Sequence, residues 1–387
     1  MKNKYRNYAK IVRSLKHNQF GSAHYIVPVI VVALVAVVGV RVLTDSYAAT
    51  IPGVKVRIVN LSPTLQMVLG TVDTTAEVKI RPVQSNNNLY TLSTVSQMCS
   101  GCLMAVNGDF FDLTTPYEPL GGVIKNGIVL RSPDPRRQEQ ASITSTGQIA
   151  IGALNFTGTL TTSDQSSLPF TVNVDHDSNN PIVLYDNHFG NTPTTSSDYE
   201  LLLSGDPSGL ALAKPLSLNI LGRHTPGTPV AAGQVVLSGA GSSATQIQQL
   251  WQKYKANTIT GEVQVLMTTN PPVSQSLGGS TVLVNAGQAQ TITGDCFATC
   301  ALPRTVMGSD ATGRFYFMTI GSNTQGVSNG VSLTQAGSIA LSYGMTEAIN
   351  LDGGGSTTFV SNGSVINHPS DGTERSVSNA WVVTPKP

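Results

Sequence analysis

The sequence predicts an α+β fold, mainly antiparallel β-sheet with a few helices, preceded by one N-terminal transmembrane or signal helix. Three observations carry that prediction. The 387 residues include 37 Gly and 21 Pro, with abundant Ser, Thr and Asn, which is the composition of many short strands joined by turns. Apolar residues alternate over runs of strand length at many places. Only two internal stretches carry a helical stripe.

The elements follow in chain order. Lys2, Lys4, Arg6, Lys10, Arg13 and Lys16 all precede the first acidic residue, Asp45. After them, residues 23–43 are almost wholly apolar, and about 20 such residues span a bilayer as a helix. Residues 1–22 then read as a basic cytoplasmic leader and 23–43 as a signal anchor, with the remainder outside. Ser46-Tyr47-Ala48 would serve as a cleavage site if the segment is a signal peptide, making the protein secreted. Residues 44–94 read as a linker and β-rich extension, and 95–387 as the main domain. Val54–Val59 alternates as a strand, and residues 66–69 and 76–80 continue in that style. Met104-Ala-Val106 is a short apolar strand, and Asn126-Gly127 marks a hairpin turn. Residues 133–240 read as all-β, with strands at 181–185 and 200–203. Ile247, Leu250, Trp251 and Tyr254 form one helical stripe over 245–256. Ser332 with Gln335 is a capping box opening a second helix that stops at Gly344. A strand over 347–351 then feeds a glycine-rich loop.

Charge narrows the function classes. Charged residues are only 12%, and 23 Lys and Arg nearly cancel 22 Asp and Glu. Nucleic acid is excluded as the main ligand, because phosphate-backbone binding needs a basic surface. The four cysteines, Cys99, Cys102, Cys296 and Cys300, fit disulfides in an oxidising compartment. Three pairings exist, of which bridging within each short loop is the simplest. A four-cysteine zinc site and a redox role for Cys99-x-x-Cys102 are the alternatives.

Four motifs bear chemistry. Asn350-Leu-Asp-Gly-Gly-Gly-Ser-Thr-Thr358 ends a strand with an acid, and its three glycines let backbone amides approach a ligand closely. Asn107-Gly-Asp-Phe-Phe-Asp112 places carboxylates beside rings on which a sugar can stack. Pro303-Arg-Thr-Val-Met-Gly308 offers a guanidinium as an anion clamp. Val365-Ile-Asn-His-Pro369 and Glu374-Arg-Ser-Val-Ser-Asn379 add His368, a candidate acid–base group, and Arg375. Asp175, Asp177, Asn179 and Asp186 have an EF-hand-like spacing, but Asn180 replaces the turn glycine and the flanks read as strands. No cofactor is required by these motifs, and a divalent cation at Asp109 and Asp352 is open without support from spacing.

Taken together, and in this order along residues 95–385, the motifs resemble the phosphodiester glycosidase family, which includes bacterial proteins described as exopolysaccharide-biosynthesis related. Asp109 departs from that pattern, since relatives often carry a small residue there. The resemblance implies hydrolysis of the glycosidic bond of sugar-1-phosphodiesters, with a sugar-phosphate or cell-surface glycan as partner. Asp352 and Arg304 match its pattern and are read as catalytic, with Asp109, the departure, as the second catalytic carboxylate. The resemblance assigns Asn107, Phe111, Thr305, Gly353, Gly354, Gly355, Ser356, Thr357, Asn367 and Arg375 to substrate binding. The chemistry is coherent: cleavage builds oxocarbenium character that a carboxylate stabilises, and the leaving phosphate needs positive charge and N–H donors. The competing expectation is a glycan-binding or envelope-assembly protein that keeps the fold without turnover.

Overall fold

The computed structural model describes residues 47–48, 51–85, 88–114, 117–134, 137, 139–177, 181–193, 198–205 and 209–386. The leader, the apolar segment and Asn179 lie outside these residues. Among the described residues, no helix is long and apolar enough to cross a membrane.

Antiparallel pairing dominates, as the alternation predicts. An eight-stranded sheet runs, edge to edge, through Tyr47–Ala48, Val54–Ser62, Leu65–Val72, Phe315–Ser322, Arg304–Ser309, Glu347–Asn350, Thr281–Asn285 and Gln288–Ala289. A five-stranded sheet has the order Ser364–Val365, Phe359–Ser361, Met104–Asn107, Asn379–Pro385, Val78–Gln84. A second five-stranded sheet has the order Ile128–Arg131, Val123–Lys125, Val273–Gly278, Glu139–Thr144, Ile149–Ala153. Its first hairpin turns at Asn126 and Gly127, both with positive φ, as a tight primed turn demands.

The all-β stretch closes on itself. Asn155–Thr162, Ser167–Val172, Ile182–Tyr185, Gln234–Gly239, Tyr199–Ser204, Leu216–Arg223 and Glu262–Asn270 form a closed barrel, which leaves no free edge. Its one parallel pair joins Thr171 to Val183 and Val172 to Leu184. The helix Ser242–Lys255 buries Ile247 and Leu250 against the barrel's core cluster, as its stripe predicts.

Residues 54–84, set apart by the sequence as an extension, are woven into the main domain. Leu65–Val72 pairs with Phe315–Ser322 along its whole length, and Val78–Gln84 pairs with Asn379–Pro385. An alternating strand carries unpaired backbone groups on both edges, and these edges are completed here by strands far along the chain. The second helix is Leu333–Ser342, with Ser332 and Gln335 in the expected capping box and Gly344 at positive φ after its end. Two short helices, Val95–Met98 and Cys296–Thr299, lie on the segments that carry the cysteine pairs. The disulfides are Cys99–Cys102 and Cys296–Cys300, the within-loop pairing. Trp381, Phe359 and Phe317 are buried in the core shared by these sheets, each contributing about 1.5–3 kcal/mol.

Candidate active site

Three sheets end at one corner. Met104–Asn107, Val273–Gly278 and Glu347–Asn350 deliver Asn107, Gly278 and Asn350 there. The Asp352 N–H donates to Gly108 O at 3.0 Å, and Asn107 Nδ2 donates to Asp352 O at 2.7 Å. Asp109 is fixed by its own N–H, which donates to Asn379 Oδ1 at 2.8 Å. The segments that bear the two carboxylates singled out by the sequence are therefore brought together, with Asn107 and Asp352 bonded across 245 positions of chain.

Asp109 is 1% exposed and walled by glycines. A Cβ on Gly278 would lie 2.5 Å from Asp109 Oδ1, and one on Gly121 would lie 3.0 Å from Oδ2. Gly121 N–H donates to Oδ2 at 2.6 Å, whereas Oδ1 is buried with no hydrogen-bond donor. Burial pushes the Asp109 carboxyl up to about 7, against the pull of Arg137 and the backbone amides. Asp352 keeps partial solvent access, and its Oδ1 accepts from Gly353 N–H at 2.8 Å. Burial raises it to about 6, opposed by the Ser356 hydroxyl, the Gly353 amide, Arg375 and Arg137. Two carboxyls that titrate near neutrality in one corner are suited to acid and base roles.

The remaining predicted residues divide by whether their polar atoms are already used. Arg304 is 1% exposed: its Nε donates to Val331 O at 3.0 Å, and one Nη donates to Phe297 O and Cys300 O. These bonds brace the stapled Cys296–Thr299 helix, so the expected anion clamp is largely committed to backbone carbonyls. Asn107 Oδ1 accepts from Thr305 Oγ1 at 2.7 Å and from Thr358 N–H at 3.1 Å, so Asn107 and Thr305 tie sheets together. Asn367 likewise holds backbone, donating to Thr357 O and accepting from Phe359 N–H. Of the loop amides, Gly353 N–H is given to Asp352, Gly354 N–H to Pro303 O, and Ser356 N–H to Gly353 O. Gly355 lies against Arg375, whose Nε and one Nη grip Asp371. Glu374 accepts from the Ser96 N–H and hydroxyl. Arg375 also reaches the Ser356 hydroxyl at 3.5 Å, and Thr357 Oγ1 is buried without a partner. His368 sits half-buried in the loop after Ser364–Val365.

Phe111 is 7% exposed and packs with Cys99 and Cys102 in a core cluster. Its neighbour Phe110 is the aromatic ring at the corner. Phe110 meets Phe297 edge to face at 5.8 Å, and Arg137 Cζ lies 5.4 Å from the Phe110 centroid. Adjacent residues in extended chain point to opposite sides, which is why one ring is core and the other is not. Phe110, Arg137, Gly278 and Asn379 are thus the site residues the motifs did not assign. A signal for Arg137 is the run Pro133-Asp-Pro-Arg-Arg137, dense in charge for so neutral a chain.

Elsewhere, a cavity of about 460 Å³ is lined by Lys125, Asp186, His188 and Leu210 among others, and by none of the predicted site residues. Asp175, Asp177 and Asp186 do not converge with a further ligand: no group of three or more His, Cys, Asp or Glu among the described residues is placed to hold a metal ion.

The architecture is that of a known class of mixed β proteins. A solved structure of a hypothetical protein from Synechocystis superposes with a TM-score of 0.65 at 19% identity, covering 85% of this chain and 61% of that one. The phosphodiester glycosidase family model matches residues 222–384. The N-acetylglucosamine-1-phosphodiester alpha-N-acetylglucosaminidase of Bos taurus is 31% identical over 172 residues, covering 40% of this chain and 31% of that protein. Its Homo sapiens counterpart is 31% identical over 157 residues, covering 36% of this chain and 29% of that protein. The chain therefore matches about a third of the length of these curated relatives.

Proposed function

We propose that this protein is a hydrolase that cleaves the bond between a sugar's anomeric carbon and a phosphodiester oxygen, acting on N-acetylglucosamine-1-phosphodiesters or close analogues. The observation that carries this reading is the Asp109–Asp352 corner. It holds one carboxyl near 7 and another near 6, side by side in the fold. Ionised Asp352 stabilises the positive charge that develops at the anomeric carbon. Protonated Asp109 stands ready to give its proton to the departing phosphate oxygen, and water supplies the hydroxyl that ends on the sugar. Phe110 offers a flat apolar face beside the acids. The placement of the domain outside the cytoplasm, on a membrane anchor and acting in cell-surface glycan or exopolysaccharide metabolism, is part of the proposal. Its support is the basic leader before the apolar run together with two disulfides, which persist in oxidising compartments.

The test is release of free N-acetylglucosamine from UDP-N-acetylglucosamine and from a methyl phosphodiester of the sugar. The expected result is turnover that Asp352→Asn abolishes. No turnover on a broad panel of sugar-1-phosphodiesters, with glycan binding retained, would instead identify a binding protein on the same fold.

A further inference from the structure

We propose that Arg137 is the residue that receives the substrate's phosphate, in place of the arginine of the Pro-Arg-Thr motif. This assignment rests on the phosphodiester reading above. A phosphate that leaves with its charge needs a cation whose donors are not already used. The arginines near the corner differ in this respect. Arg304 is 1% exposed and gives its Nε and one Nη to three backbone carbonyls. Arg131 is buried, with one Nη shared between Glu118 Oε2 at 3.3 Å and Asn173 O at 2.8 Å. Arg375 gives its Nε and one Nη to Asp371. Arg137 is different: among the described residues no carboxylate lies at ion-pair distance from it, although it is half-buried.

Its backbone is nonetheless anchored. Arg137 N–H donates to Asp134 O at 2.8 Å, and buried Gln140 donates to Arg137 O at 3.3 Å. The same Gln140 amide lies beside Gly121, whose other neighbour is the Asp109 carboxylate, and Pro133 packs on Gly122. Pro133 and Gln140 thus flank the glycine wall of the site, and Gln140 holds the Arg137 backbone beside it. The guanidinium stacks on Phe110, the residue next to Asp109, with Cζ 5.4 Å from the ring centroid. Stacking fixes the plane of a guanidinium while leaving its N–H edge free to meet two phosphate oxygens.

The probe is inorganic phosphate, titrated calorimetrically into the wild-type chain, R137Q and R137K. The expected result is a Kd raised about tenfold or more in R137Q, with R137K intermediate, because charge-assisted hydrogen bonds are lost. Melting temperatures report whether each variant is folded. If R137Q fails to fold, R137K alone decides: the fork is gone while the charge stays, so a Kd raised about threefold or more supports the assignment, and an unchanged Kd overturns it. Wild-type affinity in folded R137Q also overturns it, as does a wild-type protein that binds no phosphate. So does a displaced pH–rate profile with unaltered phosphate binding, which would make Arg137 only a charge partner of Asp109. Phosphate binding through Arg137 without sugar release refutes the hydrolase reading alone. Turnover with R137Q binding phosphate normally refutes this assignment alone.

Discussion

Two buried carboxylates in this molecule have opposite fates. Glu200, in the barrel, is 0% exposed. Its Oε2 lies 2.7 Å from His224 Nδ1 and accepts from the Thr192 hydroxyl at 3.1 Å, and its Oε1 accepts from the Ser238 hydroxyl at 3.1 Å. Asp109, at the sheet corner, is equally dry, yet one of its oxygens has no donor at all. The barrel satisfies its acid and so uses it as a tie between strands. The corner leaves its acid under-bonded, and the carboxyl answers by holding its proton. Burial alone does not mark a reactive group; burial without compensation does.

The comparison can be broken by substitution. Asp352→Asn is expected to lower kcat/KM on the order of 10³-fold in a variant that still folds, because it removes the carboxylate that meets the developing charge. Asp109→Asn and Glu200→Gln are expected to move stability in opposite directions. The folded Asp109 carboxyl titrates near 7, above its unfolded value near 3.8, so unfolding between those values releases a proton and stability falls as pH rises through the window. Removing the charge should therefore stabilise the protein at pH 8 by up to about 4 kcal/mol while lowering kcat about 10²-fold or more. Glu200→Gln, which spoils a satisfied network, should cost about 1–3 kcal/mol. Urea melts at pH 5 and pH 8 decide both, and equal signs for the two variants would break the contrast. The wild-type rate should be bell-shaped in pH, with limbs near 6 and 7, and the alkaline limb should vanish in Asp109→Asn. Gly278→Ala, whose added carbon would meet the Asp109 carboxylate, should lower kcat about tenfold to a hundredfold with a smaller effect on stability. Cys300→Ser should have the mildest outcome: about 2 kcal/mol of stability from a short loop, and activity within a few-fold, measured by thermal melts and initial rates.

Much of this was legible in the letters. The alternating runs, the Asn126-Gly127 turn, the stripe over 245–256 and the Ser332 capping box all depend on local chemistry, and each appears where expected. The Asp352 loop was legible because three glycines after an acid are rare without a backbone requirement. What could not be read is how donors are used. Nothing in Pro303-Arg-Thr shows that the guanidinium turns back to the carbonyls of Phe297 and Cys300. Likewise the choice of Phe110 over Phe111 depends on which side of an extended segment faces the corner. The closure of the barrel is set by pairing between strands over 100 positions apart, as in Asn155–Thr162 with Glu262–Asn270, and no local pattern encodes it.

The hydrogen bond from Asp109 N–H to Asn379 has a temporal consequence. Its two ends are 270 positions apart. At about 5–20 residues synthesised per second, roughly 15–50 s separate the appearance of one from the other. For most of that interval the strand Met104–Asn107, which leads to the acid, lacks both of its partners, Phe359–Ser361 and Asn379–Pro385, and its apolar flank is open to wrong neighbours. The corner is therefore assembled late in the life of each nascent chain, and its yield should respond to chaperones that hold early segments apart.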